Sequence, residues 1–185
     1  MIILASASPR RKELLSKLID DFKIVTSDIE EDYPQSTNAI DVSEYLATKK
    51  ALDIHKKFPN DIVIAADTTI VFNNKIYGKP QNKDEAKEML KLFSGNKHLV
   101  ITGVSIISDK RSISFSSKNE VEFYNLTDEE IEEYLSTNEY IDKAGSYAIQ
   151  GKGGLFVKNI NGCFNSIVGL PISQLNRILK TFFNN

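Results

Sequence analysis

Apolar positions recur along this chain with two periods, and the alternation between them predicts the elements. Residues 1–5 are an unbroken apolar run that reads as a strand. Over 9–18 the spacing becomes helical, with Leu14, Leu15 and Leu18 on one face. Residues 21–26 read as a second strand. The acidic loop SDIEEDYPQSTN follows, ending near Asn38, and a helix is predicted from about Asp41 to Lys57. DIVIAADTTIVFNN gives an apolar strand, a polar interruption and a further apolar run closed by Asn73–Asn74, the pattern of a strand buried on both faces. NKDEAKEMLKLFSG is a helix with acids in its early turns and Gly95 as its stop. HLVITGVSIISDKRSISFSSKNEVEFY reads as two long strands joined by a polar turn at 108–111. Thr127 and Glu130 match a capping box that opens a helix to about Ser136. LFVKNINGCFNSIVG carries an Asn161–Gly162 turn signal, and a last helix runs from Pro171 to Phe183. The order predicts an α/β fold with a mixed sheet and flanking helices, in two lobes around a cleft. With no linker or repeat, 1–185 is expected to be a single domain.

Composition narrows the setting. The 185 residues are 41% hydrophobic and 26% charged with a net charge of −2, the profile of a globular protein without a global pull toward nucleic acid or anionic lipid. Residues 1–4 are too short for a signal-peptide core, and no apolar run approaches a membrane span. One cysteine, Cys163, suits a reducing compartment, so a cytoplasmic protein is expected. One Cys with two His, His55 and His98, rules out a Cys/His zinc cage. Any bound metal is therefore expected on carboxylates, which points to magnesium or manganese.

Five stretches carry chemistry. In LASASPRRKELL, Ser8–Pro9 reads as a helix start, yet Arg10 and Arg11 follow where the helix dipole repels cations. They are either solvated or part of an anion site completed by the helix amides, with small residues at Ala5, Ser6 and Ala7 giving a ligand access. In IVIAADTT, Asp67 follows five apolar residues; it either marks an exposed strand end or caps a helix, or it sits at the end of a central strand on the floor of an active site. The acids Asp28, Glu30, Glu31 and Asp32 form a loop face, and Lys79 follows in NNKIYGKP; alone, each is weak. DKAGSYAIQGKGG holds four of the nine glycines and matches neither phosphate-loop nor dinucleotide fingerprints. Within it, Gln150 offers both a donor and an acceptor, suited to the edge of a base.

LASASPRRKELL, DVSEYLATKKA, AADTTIVFNNKIYGKP and DKAGSYAIQGKGGLFVKNINGCFNSIVGLP together resemble the Maf family, in its order and spacing and over essentially the whole chain. These are nucleoside triphosphate pyrophosphatases, first described as septum-formation inhibitors. The resemblance implies a fold like that of inosine triphosphate pyrophosphatase, an elongated mixed sheet with two lobes and a deep cleft. It implies a phosphate-binding turn at Ser8, Arg10 and Arg11, a catalytic carboxylate at Asp67, a second acid at Glu31 that helps hold the metal, and triphosphate-facing lysines at Lys50 and Lys79. Arg10, Thr68 and Gln150 resemble the branch that acts on dTTP and UTP; the 7-methyl-GTP branch tends to carry Trp, Gln and Glu there. The expected partner is a nucleoside triphosphate, with neither nucleic acid nor membrane, and family members are often homodimers. The alternative class is a nucleotide-binding protein of the division machinery.

Overall fold

The computed structural model describes residues 1–183. One seven-stranded mixed sheet organises the chain: β1 (Ile2–Leu4), β2 (Lys23–Ile24), β3 (Ile62–Phe72), β4 (Lys75–Tyr77), β5 (Lys97–Ile107), β6 (Ser112–Phe123) and β7 (Val157–Asn161). The order is β2-β1-β3-β5-β6-β7, with β4 also pairing β3. β1 runs parallel to β2 and β3; the other pairings are antiparallel. The helices are α1 (Pro9–Leu15), α2 (Val42–Lys57), α3 (Lys83–Phe93), α4 (Asp128–Ser136), α5 (Phe164–Val168) and α6 (Ile172–Phe183). Among the described residues no helix is long and apolar enough to cross a membrane.

The predicted caps form. Thr127 Oγ1 accepts the Glu130 N–H while a Glu130 carboxylate oxygen accepts that of Thr127. Gly95 ends α3 in the left-handed region at φ +68°. Asn73 and Asn74, both left-handed at φ 50° and 59°, make the two-residue turn from β3 to β4.

Four local expectations need correction. α1 stops at Leu15, although Leu18 still packs on its cluster. β2 shrinks to two exposed residues at the sheet edge. Asn161–Gly162 makes no hairpin, because Asn161 stays in β7 and only Gly162 has positive φ; Asn119 Oδ1 takes the Cys163 N–H at 2.7 Å and steers the chain into α5. Most consequential, β3 does not break at its polar residues. Asp67 is the sixth of eleven strand residues, mid-strand and not at an end.

Three apolar clusters follow from the alternation of side chains along β3 and β5. Ile64 and Ala66 pack with Val104 and Ile106 beneath α1 and α6. Val63 and Ala65 face the other way, toward Ala51 and Ile54 of α2. At the far end Ile70 and Val100 join Phe93 of α3, Phe123 of β6 and Ile131 of α4. β3 and β5 therefore run through every part of the core.

Candidate active site

The site is set by what pairs with β3. Its outer edge is covered by β1 at Ile62–Ile64 and by β4 at Ile70–Phe72. Between these partners, Ala65–Thr69 has no strand on that side. β1 runs out at Leu4, and the chain turns away into Ser6–Ser8 and α1. A polar mid-strand segment is thus laid open where a parallel neighbour ends, the place where α/β sheets hold ligands. A cavity of about 890 Å³ fills this gap, within the size range of small-molecule sites.

The two-residue period of the strand distributes the chemistry. Asp67 shares a face with Val63 and Ala65, the face covered by α2, so it meets Lys50: Nζ donates to Asp67 Oδ1 at 2.6 Å. The same ammonium donates to Glu31 Oε1 at 2.6 Å. Two carboxylates from distant segments thus share one cation. Gly103 makes this approach possible. It pairs directly with Asp67 on β5, and a Cβ there would lie 2.3–2.4 Å from backbone atoms of Ser43 and Glu44 at the start of α2. No other residue lets the helix sit that low.

Thr68 shares the opposite face with Ile64 and Ala66, so it meets α1. Arg11 donates from its guanidinium to Thr68 Oγ1 at 3.2 Å, to Ser6 Oγ at 3.2 Å and, through Nε, to the Gly169 carbonyl at 3.0 Å. Thr68 Oγ1 lies 2.9 Å from Thr102 Oγ1, and Thr102 donates to the Ser166 carbonyl at 2.8 Å. Since the Thr102 proton is committed to Ser166, the shared proton belongs to Thr68. The chain therefore has one direction: Arg11 to Thr68 to Thr102 to Ser166.

The turn at Ser8–Arg11 differs from the sequence expectation in its source of charge. Ser8 caps α1, its Oγ accepting a long bond (3.5 Å) from the Arg11 N–H. The Ser8 amide, however, is spent on Ser6 Oγ, and Pro9 has none. The seven-residue helix thus offers little free backbone, and guanidinium groups supply the positive potential. Burial pulls the Arg11 pKa down, with Arg10 acting in the same sense; Asp67 and Glu31 act against this. Arg10 is half-buried, and among the described residues no acceptor reaches its guanidinium. Arg11 is anchored, and Arg10 is available.

The remaining expected residues line the same cavity. Lys79 is exposed at its rim after β4, and Gln150 is exposed beyond the 3₁₀ turn Ala144–Ser146. Ser8, Arg10, Arg11, Glu31, Lys50, Asp67 and Thr68 complete the set, so all nine face one space. Burial raises the Glu31 pKa, but the hydrogen bond and charge of Lys50, with Lys79 and Arg11, more than offset this and leave it below the usual carboxylate range.

The structure adds residues that sequence reasoning did not single out. Lys143 lines the cavity with its pKa drawn down, first by burial and then by Arg10, so it belongs to the cation cluster. Thr69 presents a buried hydroxyl with no protein partner among the described residues. Tyr147 forms part of the wall; its Oη lies 2.8 Å from Nε2 of buried His98, which stacks on Phe93 with ring centres 4.5 Å apart. Lys143 and Tyr147 sit inside DKAGSYAIQGKGG, so the signal was the motif itself. Thr69 had none beyond its place beside Asp67.

The Maf family profile, described as Maf-like protein, matches residues 1–182. A dTTP/UTP pyrophosphatase of Bacillus cereus strain G9842 is 50% identical over 181 residues, covering 98% of this chain and 95% of that protein. The dTTP/UTP pyrophosphatase of Bacillus mycoides strain KBAB4 is 49% identical with the same coverage. Among solved structures, a HAM1 protein from Coxiella burnetii superposes with a TM-score of 0.54 over 97% of this chain and 98% of that one, at 16% identity, a likeness of fold.

Proposed function

We propose that this chain, which belongs to the Maf family, hydrolyses dTTP and UTP to the monophosphate and pyrophosphate. The observation that carries the reading is the division of charge within the cavity. Two carboxylates joined through Lys50 form one part, and Arg10, Lys79 and Lys143 crowd another, beside the anchored Arg11. A nucleoside triphosphate needs this division, because its phosphates seek cations while the attacking water needs a base. The names of the 50% and 49% identical relatives support the same substrates.

Asp67 Oδ1 is held by Lys50, and among the described residues no protein donor reaches Oδ2. That oxygen is placed to orient a water and take its proton. Arg10, Lys79 and Lys143 bind the phosphates and offset charge that develops on the departing pyrophosphate. Thr68 has its one proton committed to Thr102 and so serves by fixing Arg11 instead of donating to substrate. Gln150 supplies donor and acceptor together for the carbonyl and N3–H of a pyrimidine.

Magnesium or manganese fits Glu31 and Asp67. They are hard oxygen ligands whose oxygens share one ammonium at 2.6 Å each, and no group of three or more metal-binding side chains exists among the described residues. One or two carboxylates plus substrate phosphates is how magnesium is ordinarily bound. When bound, the ion supplies charge neutralisation on the phosphates. The reading further takes 1–185 as one cytoplasmic domain, in a family whose members are often homodimers.

Pyrophosphate release from dTTP, UTP, CTP and GTP tests the reading. Higher kcat/KM for dTTP and UTP is expected, since cytosine lacks the N3–H and adenine and guanine present other edges to Gln150. A preference for GTP overturns the pyrimidine assignment, and no release from any of the four overturns the pyrophosphatase reading.

A further inference from the structure

Gln150 is exposed at the cavity, and among the described residues nothing in the protein hydrogen-bonds its amide. What the protein fixes of this residue is therefore its backbone. That backbone lies in a tight reversal: the Gly151 N–H donates to the Ala148 carbonyl at 3.1 Å, and the Gly154 N–H donates to the Gly151 carbonyl at 3.0 Å. Within Gly151–Gly154 two amides remain, those of Lys152 and Gly153. Both go to one side chain from outside it. Glu139, in the turn after α4, accepts Lys152 N–H through Oε2 and Gly153 N–H through Oε1, each at 2.9 Å.

The fit between Glu139 and the reversal is close. A Cβ on Gly151 would lie 2.3–2.7 Å from the Glu139 carboxylate, so the space beside Gln150 that a side chain would fill is filled by that carboxylate. A Cβ on Gly154 would meet the Ile149 carbonyl at 2.4 Å, which closes the other side. The glycines of this segment thus make room for an anion that spans two consecutive N–H groups, one on each oxygen. Charge-assisted bonds of this kind are shorter and stronger than neutral ones, so the clamp is stiff.

We infer that Glu139 is a positioning residue for base recognition: it fixes the backbone from which Gln150 reads the pyrimidine edge. The inference rests on the proposed role of Gln150. It predicts that losing the clamp lets the backbone under Gln150 move and weakens substrates whose base pairs with it; because the Glu139 charge also acts on Lys143, the loss is read as a ratio between two triphosphates that share the phosphate end of the cavity.

The test compares kcat/KM for UTP and CTP in wild type, Glu139→Ala, Glu139→Gln and Gln150→Ala, with melting temperatures alongside. Glu139→Ala is expected to lower the UTP-over-CTP ratio about tenfold, the equivalent of one good hydrogen bond, through KM for UTP more than through kcat. Glu139→Gln keeps one acceptor and is expected to fall between; it carries the test alone if the alanine variant fails to fold. A residue that merely stabilises the loop shifts the melting temperature and leaves the ratio alone. A folded Glu139 variant within about twofold of the wild-type ratio, while Gln150→Ala abolishes discrimination, overturns the positioning role and leaves the Gln150 reading standing. A wild type that does not discriminate removes the Gln150 reading and this inference with it.

Discussion

Thr102→Val tests the one-way hydrogen-bond chain behind the site. Valine matches threonine in shape, so the buried strand packing is kept and only the hydroxyl is lost. The Ser166 carbonyl keeps a second donor, the Gly169 N–H at 2.9 Å. The change therefore strands one group, the Thr68 hydroxyl, whose only acceptor was Thr102. Thr68 borders the cavity and is half-buried, so its proton can turn toward water. The loss then belongs at the low end for an unmatched polar group, about 1–2 kcal/mol. For a chain of this size that is a fall in melting temperature of about 2–8 °C. Thr68→Val strands the Arg11 guanidinium instead, while the double variant removes both hydroxyls of the pair and should be milder than the sum. Urea denaturation of the four proteins yields the coupling, expected at about 0.5–3 kcal/mol. Additive single effects refute the directional chain, whatever their individual sizes.

Asp67→Asn is expected to lower kcat by about 100-fold or more with the fold retained, since the amide oxygen still accepts from Lys50; near-wild-type turnover in stopped pyrophosphate assays removes Asp67 from the mechanism. EDTA is expected to abolish turnover and magnesium or manganese to restore it, whereas full activity in metal-free buffer, or activation by zinc alone, contradicts the carboxylate site. His98 is neutral in the fold because burial depresses its pKa from 6.5 to about 3. Its contribution is complete above pH 6.5 and fades as pH falls toward 3, where the unfolded chain binds the extra proton. His98→Phe should therefore flatten the stability–pH curve across that window by up to about 1.4 kcal/mol per pH unit. Parallel curves for wild type and variant in pH-stepped urea titrations rule this out.

Elements with a local cause were legible in the sequence. The Thr127–Glu130 box, the Gly95 stop and the Asn73–Asn74 turn each follow from chemistry within a few residues, and each forms. The β3 break did not form, because continuity there is supplied by β5, which pairs Asp67 and Thr68 with Gly103 and Thr102 from about 35 residues away. The nine expected site residues were legible as types, and all reach one cavity. Their division of labour was not. That Arg11 is anchored and Arg10 available depends on Gly169, Thr68 and Ser6, two of them far along the chain. Glu139 was invisible for the same reason: its partners are backbone amides, and amides leave no mark in a sequence.

The unbroken β3–β5 ladder has a mechanical consequence. Nine residue pairs, from Val63–Ile107 to Val71–Leu99, run past the cavity without a bulge, and β6 doubles them along the far edge of β5. Widening or narrowing the cavity between its two ends therefore means flexing a hydrogen-bonded plate and cannot be done by swinging about a joint. The adjustable part is the acidic loop bearing Glu31, while the Glu139 clamp holds the reversal bearing Gln150. Any change in the width of the cavity is thus taken up by that loop, over a floor at Asp67 that keeps its shape.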